Sequence, residues 1–269
     1  MHIMVLRGGP GSERPISLQS GQAVATALRS VGHDVFEADI TPDNLSALDH
    51  PADVIFVVLH GAFGEDGRLQ DILEQRGLRY VGSDAASSRR AIDKHTAKEC
   101  IIRAGVQTPR EVFLPQRTWG SAAANLLRQH IEESLAQLQL PVVVKPTCEG
   151  SSVGVVIAAD AAVAVEAAQE CLARYGDCLL EQFIAGRELT VGILGQMPLP
   201  VLEIKPAAGF YDYRAKYEVD TTAYLFDLGL SAAEHQAIQN QALTAFNALG
   251  CRDLARIDFI RDVKGGLWF

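Results

Sequence analysis

Hydrophobic and polar positions along the first third of the chain predict an alternation of short strands and one long helix. Apolar runs typical of short buried strands cover residues 2–6, 34–39 and 53–59. Between the first two runs, apolar residues recur with a helical period over residues 16–31, and Gly32 follows as a C-cap. Strand, glycine turn, helix and strand in this order predict a doubly wound α/β unit. Ligands of such sheets collect at the carboxyl ends of the strands, where residues 8–13 and 60–67 form loops.

The rest of the chain mixes helices with strands in a pattern typical of an α+β arrangement. Helices are predicted over residues 92–104, 119–139 and 160–176, and over 231–249, where Ser231 and Glu234 form a capping box. Strands are predicted at residues 109–114, 142–144, 155–157, 178–183, 188–194, 200–206, 253–260 and 267–269. Residues 207–224 are predicted to form a long irregular loop, a kind of segment that is often functional.

Composition narrows the classes of function. The 269 residues carry a formal net charge of −9, which argues against a general nucleic-acid binder because such binding rests on a basic surface. The five cysteines form no C-x-x-C pair, so the sequence predicts neither a disulfide framework nor a zinc site and favours the reducing cytoplasm. No apolar run approaches the roughly 20 residues that span a bilayer, and no basic-then-apolar leader opens the chain, so no membrane partner is predicted.

The stretch PVVVKPTCEGSSVG, residues 141–154, carries the strongest chemical signal. Lys145 ends a short buried strand, and small residues including Gly150, Ser151 and Gly154 follow it. A lysine beside backbone N–H groups that small residues allow to turn inward predicts a phosphate cradle. The stretch is not a Walker A loop, because the lysine precedes the glycines. Taken alone, these residues fit an edge-strand lysine followed by a flexible turn equally well.

Other chemically interesting residues each have an ordinary structural interpretation. His60 directly follows a buried strand, which also suits a hydrogen-bonded structural histidine. Glu13 lies near a helix start, and Glu181 lies inside a strand pattern, where a charged residue is expected to face solvent. Their functional interpretation therefore needs support from elsewhere in the chain.

Three further charged residues have both a structural and a functional interpretation. Lys94 lies in the first turn of a predicted helix, where a cation opposes the helix dipole, and this poor placement hints at an anionic ligand. Arg256 and Asp258 share one face of a predicted strand. They fit either a plain ion pair or an oxyanion clamp beside a metal ligand.

Several separate motifs in order make the whole chain resemble the D-alanine:D-alanine ligases of the ATP-grasp superfamily. The matching segments are GGPGSERPISLQSG, LHGAFGEDGRLQ, the IDK that ends at Lys94, VVVKPTCEGSSVG, LLEQFI, GRELTV, FYDYRAKY and ARIDF. The resemblance implies an ATP-grasp fold, with an N-terminal doubly wound α/β domain over residues 1–93. It also implies a small central α+β subdomain over residues 94–186. A C-terminal α+β subdomain follows over residues 187–269 and is incomplete relative to the family.

The resemblance also implies roles for residues on the amino-acid side. Glu13 matches the carboxylate that holds the amino group of the first D-alanine and forms hydrogen bonds with Ser151 and Tyr217. His60 matches the residue near the carboxylate of that alanine. Tyr217 lies on a mobile loop that closes over the reaction, and a tyrosine there fits the dipeptide-forming type of the family.

On the nucleotide side, the resemblance implies that Lys94 and Lys145 bind the phosphates of ATP and that Glu188 binds the ribose. Arg256 matches the cation on the tetrahedral intermediate, and Asp258 matches a ligand of Mg²⁺, with Mn²⁺ as a substitute. The remaining nucleotide-binding positions are Glu181, Gln182, Phe183 and Ile184 at the adenine, and Phe210 and Lys216 on the 207–224 loop.

The implied reaction joins two D-alanines at the expense of ATP through an acyl phosphate, in the cytoplasm, as part of peptidoglycan precursor synthesis. Phosphoryl transfer mainly requires positioning and charge neutralisation, and an acyl phosphate must be kept from water. The expected partners are therefore small molecules, ATP and D-alanine, and the resemblance also implies a homodimer.

The chain departs from the family pattern at its end. In the family, the strand begun at residues 267–269 continues into a Glu-x-Asn pair that binds Mg²⁺ and a loop for the second alanine. Asp258 is then the one metal ligand of the family pattern among these 269 residues. Because the other ligands are missing from them, residues 1–269 alone are predicted to bind nucleotide weakly and to ligate poorly or not at all. Two alternatives stay open: a catalytically inactive ATP-grasp relative that holds nucleotide or a D-amino acid, and an ATP-grasp ligase for another amino acid.

Overall fold

The computed structural model describes residues 1–11, 13–119, 124–206 and 222–269. The chain divides into two compact units. Unit 1 contains Met1–Ile92 with the short segments Leu194–Gln196 and Leu249–Ala255, and unit 2 contains Asp93–Ile193, Met197–Ala248 and Arg256–Phe269. Within the described ranges, no helix combines the length and the apolar character needed to cross a bilayer.

Unit 1 is built around a four-stranded parallel sheet. Its elements are β1 (His2–Arg7), α1 (Arg14–Ser30), β2 (Asp34–Asp39), a 3-10 turn (Ser46–Asp49), β3 (Val54–Val57), α2 (Arg68–Gln75), β4 (Tyr80–Val81) and α3 (Ala85–Ile92). The strand order is β2-β1-β3-β4, and every neighbouring pair is parallel. Strand β1 is continuously apolar because it is buried on both faces, as central strands of parallel sheets are. The predicted α/β unit is confirmed.

One buried serine ties the first helix of unit 1 to two strands. Ser17 Oγ donates to the carbonyl of Val58 at 2.6 Å and accepts the N–H of Gly8 at 2.9 Å. Strands β1 and β3 are parallel neighbours, so the loops that follow them emerge at the same edge of the sheet. Ser17 therefore helps to hold both loops in place at the edge where α/β folds bind ligands.

Unit 2 begins with a four-stranded antiparallel sheet covered by two helices. Its elements are α4 (Lys94–Arg103), β5 (Glu111–Leu114), α5 (Gln116–Trp119), α6 (Ala124–Leu138), β6 (Val142–Pro146), β7 (Val156–Ala158), α7 (Ala161–Arg174) and β8 (Cys178–Gln182). The strand order is β5-β8-β6-β7. Val142 and Val144 of β6 are fully buried in one cluster with Ile131 of α6 and Ala168 of α7. This core confirms the predicted strands with helices on one side.

A second sheet in unit 2 has the order β12-β11-β9-β13-β14, with β10 paired to β9. Its elements are β9 (Gly186–Leu194), β10 (Met197–Pro198), β11 (Leu202–Lys205), β12 (Ala223–Leu225), α8 (Ala232–Leu249), β13 (Leu254–Asp262) and β14 (Leu267–Trp268). The predicted capping box is present, because Glu234 accepts the N–H of Ser231 at 2.9 Å and Ser231 Oγ accepts the N–H of Glu234 at 3.3 Å.

Two predicted elements differ from the observed ones. The helix predicted over residues 92–104 begins at Lys94, because Asp93 is an N-cap whose carboxylate accepts the N–H of Thr96 at 2.7 Å. Ala223 and Tyr224, predicted to lie in a loop, form part of β12 because they pair with β11. Residues 207–221 of that predicted loop lie outside the described residues, as do residues 120–123 of the helix predicted over 119–139.

Candidate functional site

The loop after β6 has the backbone conformation of an anion cradle. Ser151 and Ser152 are consecutive residues with positive φ angles of 48° and 61°. Gly154 has a φ of 69°, and a Cβ atom there would come within 2.8 Å of Pro146 and Tyr175. Only glycine satisfies both the conformation and the space at this position. The loop forms two successive tight turns, with the N–H of Val153 on the carbonyl of Gly150 at 3.0 Å and the N–H of Val155 on the carbonyl of Ser152 at 3.3 Å. Turns of this kind are one of the backbone arrangements from which anion-binding nests are built.

Lys94 lies against this cradle. As the first residue of α4, it donates through Nζ to the carbonyl oxygens of Glu149 and, at 3.2 Å, of Thr147. Burial and the nearby positive charge of Lys145 lower the pKa of Lys94 from 10.5 to about 8. Two ammonium groups that weaken each other's charge beside a nest form a site that a polyanion would stabilise. The two lysines therefore lie near each other, and their joint action on one ligand, which the resemblance implies, stays a prediction.

Glu181 is buried, so the expectation that it faces solvent is wrong. The residue is 7% exposed, and its carboxylate has one oxygen 2.7 Å from Lys145 Nζ and the other 2.6 Å from Lys98 Nζ. Burial by itself would raise the pKa of Glu181, but the two lysines outweigh it and hold the pKa below its usual value. A charged residue in a strand is tolerated inside when oppositely charged partners from other elements reach it.

A pocket in unit 2 lies between its two sheets, and Lys145 and Glu181 line it from the first sheet. Pro109 and Ser152 line the same side. From the second sheet, the lining residues are Glu188 and Leu189 of β9, Ile204 of β11, Arg256, Asp258, Phe259 and Ile260 of β13, and Trp268 and Phe269 at the end of β14. Cationic, anionic and apolar groups thus converge on one pocket, as in ligand sites generally.

Arg256 and Asp258 form a two-point ion pair on the exposed face of β13. Arg256 Nε and Nη2 donate to the two carboxylate oxygens of Asp258 at 3.0 and 2.9 Å, and Thr190 Oγ1 donates to Asp258 Oδ1 at 2.7 Å. The intervening Ile257 is buried, as the alternation of a strand requires. Both charged side chains line the pocket, so the ion pair and the proposed clamp are not exclusive alternatives.

The two loops at the sheet edge of unit 1 bring a histidine and two glutamates together. The Glu65 carboxylate, 4.0 Å from His60 Nδ1, raises the pKa of His60; burial opposes this shift, and the charge of Glu13 adds to it. A Cβ atom on Gly61 would come within 2.9 Å of Glu13 Oε2, so the Glu13 carboxylate lies directly beside this loop. His60 Nε2 is buried without a hydrogen-bond partner among the described residues. A buried nitrogen of this kind is suited to form a hydrogen bond with a bound ligand.

The remaining predicted site residues are placed as follows. Ser151 lies in the cradle, Gln182 ends β8, and Phe183 and Ile184 follow it and are half-buried. Phe210, Lys216 and Tyr217 lie outside the described residues. The hydrogen bonds expected among Glu13, Ser151 and Tyr217 therefore stay a prediction.

Sequence reasoning missed Lys98, which contacts Glu181 from behind the pocket wall. A signal for it exists, because Lys98 lies on the same helical stripe as the buried residues Ala97 and Ile101. A lysine on an apolar stripe must find a buried anion or carbonyl, since an unpaired buried charge is costly.

The donors present suit a hard metal ion that arrives with phosphates. Among the described residues, no group of three His, Cys, Asp or Glu side chains is placed to hold a metal. Asp258 offers one carboxylate, and Mg²⁺ is commonly held by one or two carboxylates together with substrate phosphates and water. Asp258 therefore fits Mg²⁺ as a partial ligand set.

Unit 2 has two sheets around a lysine-lined pocket, and unit 1 is a parallel α/β unit with charged loops of its own; together these features define a ligase of the ATP-grasp type. Two family models match the chain: the D-ala D-ala ligase C-terminus over residues 102–269 and the D-ala D-ala ligase N-terminus over residues 33–83. The chain belongs to the D-alanine–D-alanine ligase family.

Individual proteins agree with this assignment. The chain is 38% identical to a D-alanine–D-alanine ligase of Methylacidiphilum infernorum, over 99% of this chain and 82% of that protein. The crystal structure of the Bacillus anthracis D-alanine–D-alanine ligase matches at a TM-score of 0.85 and 29% identity, covering 100% of this chain and 84% of that one. Its complex with ATP matches at 0.81 and 27% identity, covering 100% and 84%. VanG, a D-Ala:D-Ser ligase from Enterococcus faecalis, matches at 0.82 and 26% identity, covering 100% and 88%.

Proposed function

We propose that this protein joins two D-alanine molecules into D-alanyl-D-alanine, with hydrolysis of ATP to ADP and phosphate, for peptidoglycan precursor synthesis in the cytoplasm. The observation that carries the proposal is the pair of lysines, Lys94 and Lys145, beside a loop of left-handed residues in a family whose Bacillus anthracis member binds ATP. Such excess positive charge suits a triphosphate, because phosphoryl transfer depends on positioning and neutralising the transferred group.

The first step activates a carboxylate. Glu13 holds the ammonium group of the first D-alanine, and His60 lies near its carboxylate. One oxygen of that carboxylate attacks the γ-phosphorus of ATP, the bond to the β-phosphate oxygen breaks, and ADP leaves with the electron pair. Lys94 and Lys145 neutralise the phosphates during this transfer, while Glu188 binds the ribose and Glu181, Gln182, Phe183 and Ile184 form the adenine side.

The second step forms the peptide bond. The neutral amine of the second D-alanine attacks the carbonyl carbon of the acyl phosphate, and a tetrahedral intermediate forms. The C–O bond to the phosphate then breaks, inorganic phosphate leaves with the electron pair, and the nitrogen gives up one proton. Arg256 stabilises the negative charge on this intermediate. Ser151 orients Glu13 together with Tyr217, and Phe210, Lys216 and Tyr217 belong to the segment that shields the acyl phosphate from water.

Mg²⁺, or Mn²⁺ in its place, supplies charge neutralisation to the phosphates, and Asp258 is the residue we propose to hold it. In the described structure, both oxygens of Asp258 accept hydrogen bonds from Arg256.

We also propose that the domains follow residues 1–93, 94–186 and 187–269 and that the protein forms a homodimer. Light scattering on the purified full chain at several concentrations tests the assembly: a mass of one 29.0 kDa chain throughout would contradict the dimer.

Release of phosphate from ATP by the complete gene product tests the proposed reaction, since poor or absent ligation is expected of residues 1–269 alone. We expect D-alanine to stimulate it, L-alanine to have no effect, and D-alanyl-D-alanine to appear by mass spectrometry. D-lactate and D-serine serve as alternative acceptors, the latter because a structural neighbour is a D-Ala:D-Ser ligase. Stimulation by another amino acid and not by D-alanine would overturn the substrate. ATP binding without any phosphate release would favour a nucleotide-binding protein.

A further inference from the structure

Lys98 is a buried lysine whose role the proposed reaction does not explain. It lies on α4 one turn after Lys94, and the whole residue is 4% exposed. Removing an ammonium group from water costs several kcal/mol unless its partners compensate. A buried ammonium group therefore needs hydrogen-bonding partners that compensate for the water it has lost.

The partners of Lys98 lead from the interior toward the nucleotide pocket. Lys98 Nζ donates to the carbonyl of Pro109 at 2.8 Å and to Glu181 Oε2 at 2.6 Å, and it forms an ion pair with Glu111. The other oxygen of Glu181 lies 2.7 Å from Lys145 Nζ. Glu181 and Lys145 line the pocket, whereas Lys98 is not among its lining residues.

This arrangement fixes the orientation of Glu181. A carboxylate held at one oxygen can rotate about its terminal bond, but one held by a different cation at each oxygen cannot do so without breaking an ion pair. Lys145 is 19% exposed in its side chain and faces the pocket, so its position depends on where Glu181 Oε1 points. Without Lys98, the buried carboxylate would keep Lys145 as its single lysine partner and pull that ammonium group inward.

We propose that Lys98 is a positioning residue that holds Glu181 through one oxygen, so that the other oxygen keeps Lys145 directed at the phosphates of the bound nucleotide. The inference rests on the proposed function in that the nucleotide is ATP. It assigns Lys98 an effect on ATP binding without any contact to ATP, and it predicts no effect on D-alanine.

The variant Lys98→Met tests this role because methionine keeps much of the stem volume and removes the charge. Loss of one charge-assisted interaction predicts about a tenfold rise in the Kd and KM for ATP, with the KM for D-alanine unchanged. Glu111→Gln is the matched control, since it removes the other carboxylate on Lys98 and leaves Glu181 and the pocket intact. We expect its ATP affinity to stay within about twofold of wild type.

A double-mutant cycle with Glu181→Gln separates positioning from general destabilisation. If Lys98 acts through Glu181, adding Lys98→Met to Glu181→Gln changes ATP affinity no further. If Lys98→Met alone does not fold, the ATP affinities of Glu181→Gln and of the double variant still test the positioning role. The double variant avoids an unpaired buried charge, because it removes both Lys98 and the charge of Glu181. Wild-type affinity in Lys98→Met, or an equal loss in both backgrounds, would overturn the inference alone. Wild-type protein that does not bind ATP would overturn the proposed function as well.

Discussion

The two units assemble charged groups by different means. In unit 1, the parallel sheet brings two loops to one edge, and the charged side chains of Glu13, His60 and Glu65 come from those loops. In unit 2, the charged side chains stand on strands of two facing sheets, as Lys145 and Asp258 do. Loop residues depend on backbone conformation for their position, whereas strand residues depend on the partners that flank them.

The balance of charge differs as well. Unit 1 places carboxylates beside a histidine, a combination that suits both ends of a zwitterionic amino acid. Unit 2 places two lysines near each other beside a loop of left-handed residues, which suits a polyphosphate. The difference shows that one chain can suit two kinds of ligand with two separate groups of side chains. The predictions below test whether binding of ATP and binding of D-alanine respond separately to substitutions in these groups.

The largest effect is expected from Lys145→Met. Removing a positioned cation from the phosphates should lower kcat/KM for ATP by about 10²–10³-fold, in line with the loss of one electrostatic stabiliser. Binding of D-alanine, measured by calorimetry without nucleotide, should not change. Lys264→Met, at an exposed turn, is the control and should behave as wild type. Equal losses for both ligands would break the comparison.

Glu13→Gln should have the opposite selectivity. Loss of the carboxylate that pairs with the substrate ammonium should raise the KM for the first D-alanine by about 10–100-fold, the worth of a hydrogen bond to a charged group. The Kd of ATP should stay at its wild-type value. Glu166→Gln on the exposed face of α7 is the matched control in steady-state kinetics. A weakened ATP affinity in Glu13→Gln would show that the two sites are coupled.

The pH dependence of ATP binding should report the lowered pKa of Lys94. In the free protein Lys94 loses its proton near pH 8, and bound phosphates favour the charged form, so ATP affinity should fall by about tenfold from pH 7 to pH 9. Calorimetry in buffers of different ionisation enthalpy should show uptake of about half a proton at pH 8.

The variant Lys94→Arg should flatten this profile, because arginine stays charged throughout the range. The same pKa fixes the sign of the effect of Lys94 on stability. Between pH 8 and 10.5 the unfolded chain binds more protons at this position, so its contribution to the free energy of unfolding becomes more favourable as pH rises. A pH-independent ATP affinity in the wild type would contradict the assignment.

The smallest effect is expected from Glu65→Gln. Glu65 raises the pKa of His60, so the stabilisation is fully present below pH 6.5 and is lost as pH rises through the folded-state pKa. Nuclear magnetic resonance titration should show a lower pKa for His60 in the variant. Urea unfolding should show a loss of less than about 1 kcal/mol at pH 5.5 and less at pH 8.5. An unchanged His60 titration would mean that Glu65 does not control this histidine.

Local signals in the sequence predicted most of the fold. The apolar run of β1 and the Ser231–Glu234 capping box each contain their cause within a few residues, and both are confirmed. Boundaries were less well predicted. Ala223 and Tyr224 belong to a strand because β11 supplies their backbone partners. The identity of these two residues does not predict that pairing.

Candidate site residues divide in the same way. The lysine and small residues after β6 predicted an anion cradle, because the ability of glycine and serine to adopt the turn is a property of those residues. The environment of Glu181 was wrongly predicted, because its burial depends on Lys98, which lies 83 positions earlier in the chain. A periodic pattern carries no information about which distant charge will compensate a buried one.

By itself, the sequence determined the order of the elements, the cradle loop and the pairing of Arg256 with Asp258 on one strand face, since all of these follow from spacing within single elements. Only the tertiary structure decided that Lys94 and Lys145 lie near each other and that Lys98 and Glu181 are buried together. The physical reason is that desolvation and charge compensation depend on distances between elements, and chain folding sets those distances.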